Sequence, residues 1–313
     1  MRILIAGGAG FLGSRLVPKL LARGHDLVVV DSFTTGVRTH LAVRPKRGSL
    51  RVVHADVSRA PHGRYDRVYH LAAAASPIAY AVRQVATLQA HAQGTQRLLE
   101  ICERSGARFL LTSSSEVYGD PLVHPQPETY RGNVDPTGPR SCYDEGKRFA
   151  EALAVAFVRE RGVDARIVRI FNAYGPGMRP DDGRIPAAFV VAALRGEPIQ
   201  IHGDGSQTRS LCYVDDTCEG LIATMERGRT GEPYNIGRRD EVTVRQFAEL
   251  VLRLSGSSSR IERLPQRTQD VSRRQPDTRN ARRDLGWTPK VPLRVGLQRT
   301  IRYYRALLGI GGR

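Results

Sequence analysis

Ile3-Leu4-Ile5-Ala6-Gly7-Gly8-Ala9-Gly10-Phe11-Leu12-Gly13 decides how the rest of the chain is read. The apolar run at its start predicts a short buried strand. The glycines then open a helix whose apolar spacing runs through Leu16, Leu20 and Leu21. Taken as Gly8, Gly10 and Gly13, or with Gly7 in first place, they match a dinucleotide-binding fingerprint. In such a loop bare backbone amides approach a pyrophosphate at the helix N-terminus. Glycines alone are a weak signal, and the flanking strand and helix strengthen it. The next apolar run, Leu27-Val28-Val29-Val30, ends on Asp31, eighteen residues past Gly13 (31 − 13). A carboxylate near that spacing binds the adenosine ribose diol. It also repels a 2′-phosphate, so NAD is expected rather than NADP.

Working outward, residues 51–54, 67–71, 109–112 and 165–171 read as further strands, and 85–102 as a long amphipathic helix. Alternation of this kind predicts an α/β fold with a Rossmann-type doubly wound parallel sheet, binding ligands at the carboxyl ends of its strands. Asp56, before Val57, is placed to meet an adenine amine, although turn formation explains it equally well. The run Ser113-Ser114-Ser115-Glu116 falls at a strand end, where the Ser114 hydroxyl can hydrogen-bond a substrate oxygen. Beyond Asn172, Gly, Pro and Asp punctuate shorter elements. Helices are expected at 186–194, 215–225, 244–254 and 293–307, a strand at 199–201 and an arginine-rich loop after Ser259. The expected division is a dinucleotide-binding domain over 1–171 and a smaller mixed α/β substrate-binding lid over 172–313. Some of the lid's strands and helices return to the first domain.

Ser141-Cys142-Tyr143-Asp144-Glu145-Gly146-Lys147-Arg148 carries the chemistry. Tyr143 and Lys147 are four residues apart and share a helix face. A phenol titrates near ~10, too high for a base at neutral pH, and an ammonium one turn away favours the phenolate. YxxxK alone is a loose pattern. The chain, however, contains only four lysines, Lys19, Lys46, Lys147 and Lys290, among its 48 Lys+Arg. A lysine here implies that arginine's larger fork would not serve.

The formal charge of +17 invites a nucleic-acid reading, yet the arginines are spread along the chain and aromatics make up only 6%. No basic-aromatic module is present, and the charge is read as solvated surface with some attraction for anionic ligands. Cys102, Cys142, Cys212 and Cys218 show no CxxC pair, which favours reduced thiols over a zinc site. The glycine-broken start lacks a cleavage signal, and no run is long enough to span a membrane, so a cytoplasmic enzyme is expected.

Together, the glycine loop, Asp31, the serine-glutamate strand end and Tyr143/Lys147 resemble an extended short-chain dehydrogenase/reductase acting on a nucleotide sugar. Within that superfamily the chain most resembles the UDP-glucuronate decarboxylases. The resemblance is carried by Ser115-Glu116-Val117-Tyr118-Gly119-Asp120-Pro121, Gly138-Pro139-Arg140 and the stretch after it, Asp182-Gly183-Arg184, Gly203-Asp204-Gly205-Ser206-Gln207-Thr208-Arg209 and Leu285-Gly286-Trp287. It implies a redox-neutral cycle on UDP-glucuronate. Tyr143 takes the sugar 4-hydroxyl proton while hydride passes to NAD, the 4-ketone releases carbon dioxide, C5 is reprotonated and the hydride returns. Ser114 stands where the family has threonine and would bond the same oxygen, and Glu116 assists near C5. Arg274 matches an Arg-x-Pro arginine for the carboxylate or diphosphate, and Arg209 is placed for the diphosphate. The expected substrate contacts are Tyr80, Ser114, Ser115, Glu116, Asn172, Arg209 and Arg274. The expected NAD contacts are Gly7, Gly10, Phe11, Leu12, Gly13, Asp31, Ser32, Thr35, Gly36, Asp56, Val57, Leu71, Ala73, Tyr143, Lys147, Ala173, Arg179 and Arg184. A homodimer through the helices at 85–102 and 143–161 is also implied.

The sugar 4,6-dehydratases resemble the chain as well but carry an aspartic acid at the place of Ser115, a poor acid for expelling a hydroxyl. A nucleotide-sugar 4-epimerase would share the Tyr143/Lys147 chemistry and keep the carboxylate. A silent NAD-binding regulator is the reading from another class, and retention of tyrosine, lysine and hydroxyl speaks against it. The chain departs from the decarboxylase pattern at Gln89, which replaces a lysine, and at Ala90-His91, which replace a threonine-asparagine pair. It departs again at Ala73-Ala74, and at Gly177, where the family has arginine.

Overall fold

The computed structural model describes residues 1–266 and 273–311, so part of the arginine-rich loop lies outside the described residues. The central sheet contains β1 (Arg2–Ala6), β2 (Asp26–Asp31), β3 (Leu50–His54), β4 (Arg67–His70), β5 (Arg108–Ser114), β6 (Ala165–Ile170) and β7 (Pro233–Ile236). Their spatial order is β3-β2-β1-β4-β5-β6-β7. All neighbours are parallel. Successive side chains alternate between faces. Ile3, Ile5, Val29, Leu110 and Val168 enter one core, and Leu4, Ala6, Val28, Val30, Phe109, Leu111 and Ile167 the other. Both faces are covered, which is why the strands read as continuous apolar runs.

The chain builds outward from β1 to β3, then crosses back to β4. That reversal leaves a crevice beyond the carboxyl ends of β1 and β4. The helix Ser141–Arg161 buries Tyr143, Lys147, Ala150, Ala154 and Phe157, a stripe at helical spacing. The alanines pack the helix against the sheet, and its reactive pair sits at the end of the same stripe. Tyr143 and Lys147 are therefore carried to the carboxyl end of β5 by ordinary helix packing.

The predicted helix over 85–102 is Gln84–Gln89 running through a π-helical turn, Ala90–Gly94, into Thr95–Ser105. The lid helices Ile185–Arg195, Val244–Ser255 and Leu293–Leu307 pack on one another around Phe189, Phe247, Val251 and Ile301. Thr208–Arg209 pairs with Val242–Thr243, a two-residue ladder that fixes Arg209. Periodicity does not reveal β7, the helix Pro77–Ala81 or the helix Arg279–Leu285, which are too short to display it. Among the described residues all four cysteines are free and buried, and no helix is long and apolar enough to cross a membrane.

Gly13 meets the glycine loop so closely that an added Cβ would lie 2.2 Å from the Gly8 carbonyl oxygen. Gly13→Ala is therefore expected to lower the unfolding free energy by roughly 1–3 kcal/mol, the usual cost of forcing atoms into a packed site. Urea denaturation checks this, and a wild-type midpoint would contradict the assigned approach.

Candidate active site

A cleft runs over the reversal point. Gly7, Gly10, Phe11, Leu12, Gly13, Thr35, Leu71, Ala73, Arg179 and Arg184 line one part of it. Asp31, Ser32, Gly36, Asp56 and Val57 line its continuation. Asp31 closes β2, and its Oδ2 and Oδ1 accept from the amides of Ala9 at 2.9 Å and Phe33 at 2.8 Å. These partners are backbone amides and not cations, and each carboxylate oxygen has a further lone pair to offer to the cleft. That fits a ribose diol and opposes a 2′-phosphate. Asp56 accepts from the Ser58 amide at 2.9 Å and caps the turn Val57–Arg59 while also lining the cleft. Arg179 sits on the rim, paired with Asp181 at 2.5 Å. Arg184 is paired with Asp182 and lies over the Phe11 ring at 5.5 Å. Gly177 has a φ of +92° and no space for a Cβ, which would stand 2.0 Å from Ser14 Oγ. The backbone there excludes the arginine that the family pattern leads one to expect.

Phe11, Leu12, Leu71, Ala73 and Arg184 also border a second cavity, with Tyr80, Ser114, Ser115, Glu116, Tyr143, Lys147, Asn172, Ala173, Arg209 and Arg274. Every site residue expected from sequence thus lines one of these connected spaces. Tyr143 is 6% exposed. Its ring stacks on Tyr80 at 5.2 Å and 14°, and His91 abuts it edge-on at 5.6 Å. Lys147 is buried and donates from Nζ to the Thr112 carbonyl at 2.5 Å, with Nζ 5.7 Å from the Tyr143 ring centroid.

The electrostatics correct one expectation. Spacing alone predicts that the ammonium draws the phenol down. Instead burial, the largest influence, pushes Tyr143 up to about 12, against an opposing hydrogen bond with Ser114. Burial also pulls Lys147 down to about 7, with Glu151 opposing. Both groups lose hydration together, and desolvation disfavours each charged form.

Glu116 follows Ser114 in a short turn whose Ser114 Oγ accepts from the Glu116 amide at 3.2 Å. Its carboxylate accepts from both Arg140 and Arg274. Burial pushes this carboxyl up, but Arg274 and Arg140 together overcome it and hold it at about 2. Neighbouring Asp144 is raised to about 7, by burial first and then by Glu116. Sequence reasoning missed Arg140 as a site residue, although it lies three positions before Tyr143 and so on nearly the same helix face. It also missed His91 as a neighbour of Tyr143. His91 lies in the π-helical turn, wholly buried, with neither ring nitrogen partnered. Asn172 follows β6 with a φ of +31° and a buried amide nitrogen lacking a partner.

Residues 3–237 match the NAD dependent epimerase/dehydratase family. The chain is 47% identical over 305 residues to UDP-glucuronic acid decarboxylase 1 of Arabidopsis thaliana, covering 97% of this chain and 70% of the relative. It is 45% identical over 304 residues to UDP-glucuronic acid decarboxylase 1 of Xenopus tropicalis, covering 97% and 72%. Among solved structures, MoeE5 in complex with UDP-glucuronic acid and NAD superposes with a TM-score of 0.85 at 32% identity, covering 98% of this chain and all of that one. With the crevice, the Asp31 carboxylate and the Tyr143–Lys147 stripe in place, these likenesses settle the kinship: the chain belongs to the NAD dependent epimerase/dehydratase family and, within it, to the UDP-glucuronic acid decarboxylases.

Proposed function

We propose that this chain converts UDP-glucuronate to UDP-xylose and carbon dioxide, with NAD retained through the cycle. The observation that carries the reading is a single cavity in which Tyr143 and Ser114 adjoin a carboxylate and four arginines, with a serine at 115. The glycine loop and Asp31 would hold NAD, which supplies a hydride acceptor that later returns the hydride and a cationic ring that favours a nearby phenolate. Tyr143 Oη takes the proton of the sugar 4-hydroxyl, and Ser114 Oγ bonds the same oxygen. Lys147, anchored on Thr112, orients and titrates beside the tyrosine. Loss of carbon dioxide places negative charge on the C4 oxygen, where the Tyr143 and Ser114 hydroxyls are positioned to donate. Arg209 and Asn172 would bind the diphosphate and sugar, and Tyr80 supports the Tyr143 ring by stacking. Ser115, buried and far weaker as an acid than a carboxylic acid, disfavours the dehydratase alternative.

The division at residues 171 and 172 into cofactor and lid parts is kept as a functional one, with β7 supplied to the first part by the second. We place the enzyme in the cytoplasm as a homodimer. The exposed Val82, Val85 and Leu88, with Phe149 on the neighbouring helix, offer the apolar seam.

Incubation with UDP-glucuronate should release carbon dioxide and leave a nucleotide-linked pentose. Tyr143→Phe should lower turnover by about 10²–10⁴-fold, the span for a lost proton acceptor. Wild-type retention of all sugar carbons, or an active Phe variant, would contradict the assignment.

Lys147 also makes a pH prediction. Burial brings its pKa in the folded protein down to about 7 from an ordinary 10.5, so between those limits the unfolded chain holds more protons. Stability then rises with pH across that window, and the burial penalty is full below it. The stability of Lys147→Met relative to wild type should accordingly be most favourable below pH 7 and decline toward pH 10.5, while turnover is lost. Urea unfolding at a series of pH values checks the sign, and a pH-independent difference would contradict the buried ammonium.

A further inference from the structure

His124 and the run over 203–209 meet at a residue that neither stretch contains. Glu241 stands just before the two-residue ladder in which Val242 pairs with Arg209 and Thr243 with Thr208. One of its carboxylate oxygens accepts from the Thr208 hydroxyl, and the other faces His124 Nε2 at 3.0 Å. Only 18% of the Glu241 side chain and 20% of the His124 side chain are exposed. Gln126 sets the direction of the histidine bond. Wholly buried, it accepts at Oε1 from the Gln275 amide at 2.9 Å. Its Nε2 is then the donor, to the Val123 carbonyl at 2.7 Å and to His124 Nδ1 at 3.4 Å. With Nδ1 accepting, the neutral ring carries its proton on Nε2 and donates it to Glu241.

A pair of this kind has a bland reading as a pin between two parts of the fold. His124 belongs to the loop after the turn Ser115–Tyr118, and Glu241 and Thr208 belong to the lid. Arg209 takes the reading further. The ladder has only two residues on each side, and a paired ribbon that short does not hold itself. Arg209 Nη1 donates to the Thr208 carbonyl at 2.8 Å, so the guanidinium is tethered to the residue whose hydroxyl Glu241 grips. Thr208, Arg209, Val242 and Glu241 thus form a closed ring, covalent along each strand, bridged by the ladder and shut by the Thr208–Glu241 bond. His124 fastens that ring to the cofactor part. Arg209 in turn lines the cavity of Tyr143. A long side chain loses rotamer freedom when it grips an anion, and fixing its base beforehand lowers that cost.

We infer that Glu241 is a positioning residue for the diphosphate: through Thr208, and braced by His124, it sets Arg209 where a nucleoside diphosphate is gripped. The inference deepens the reading above. It rests on the assignment of Arg209 to the diphosphate and is independent of the decarboxylation step.

The test titrates UDP into the NAD-loaded protein by calorimetry. It compares wild type, Glu241→Ala, Glu241→Gln, Thr208→Val, Arg209→Ala and Glu241→Ala/Arg209→Ala. Glu241→Ala and Thr208→Val should each weaken UDP binding by about five- to tenfold, the scale of one net hydrogen bond. Glu241→Gln keeps an acceptor for the Thr208 hydroxyl and should stay within about twofold of wild type. Once Arg209 is gone, Glu241→Ala should cost less than about twofold more. In turnover of UDP-glucuronate, Glu241→Ala should raise KM by the factor seen for UDP and change kcat by less than about twofold. A merely structural pin would not depend on Arg209. Equal losses of UDP affinity with and without Arg209, or no loss in both Glu241→Ala and Thr208→Val, overturn the inference. An Arg209→Ala variant that binds UDP like wild type takes down the diphosphate assignment and this inference with it. UDP binding as expected, with UDP-glucuronate left intact, refutes the decarboxylation alone. If Glu241→Ala does not fold, Thr208→Val and Thr208→Val/Arg209→Ala complete the same cycle and decide by the same criterion.

Discussion

A lysine ammonium shut away from water governs the architecture of this site. Lys147 is 4% exposed, and the contact that holds it is the main-chain carbonyl of Thr112 near the end of β5. Burying a charge is costly unless it is hydrogen-bonded, so the group must be placed where the sheet offers an oxygen and where its ionisation can be used. The packing stripe of Ser141–Arg161 makes that placement automatic. Ala150, Ala154 and Phe157 anchor the helix in the core, and Lys147 and Tyr143 stand one and two turns earlier on the same face. Stability and chemistry are thus fixed by one helix register.

The same desolvation explains why the phenol is raised rather than lowered. In the protein by itself, burial outweighs the Ser114 hydrogen bond and the Arg184 charge that lower the phenol, and the pair is poised with a neutral tyrosine and a lysine titrating near neutrality. Such a pair responds to what enters the cleft. Around it the charge is arranged in opposition: Asp31 lines the cleft over the glycine loop with no cationic partner among the described residues, while Arg140, Arg209 and Arg274 gather about Glu116 in the cavity of Tyr143. The high net positive charge of the chain is largely surface, but here arginines line the wall where an anionic nucleotide sugar would lie.

Much of this was legible in the residues because it is local. Continuous apolar runs marked β1, β2 and β5, the glycine loop announced the first helix, and the final helix at Leu293–Leu307 falls where its periodicity places it. The cavity residues were legible through long motif runs and not through spacing. What escaped depends on tertiary environment. Pro233–Ile236 is a strand only because it pairs with β6. The π-helical turn at Ala90–Gly94 carries no periodic signature, so His91 emerged beside Tyr143 only in three dimensions. The sign of the Tyr143 shift needed the degree of burial, which four-residue spacing does not contain. Arg140 was quoted within a motif, yet its role as one arm of the Glu116 bridge required the fold.

The central claim is that C4 loses and regains the same hydride while C5 exchanges carbon dioxide for a solvent proton. The most direct measurement is to run the reaction on UDP-glucuronate in heavy water and locate deuterium in the pentose by NMR and mass. The account predicts one deuterium at C5, none at C4, and complete loss of the carboxyl carbon. Deuterium at C4, or a product that keeps its carboxylate, would contradict it.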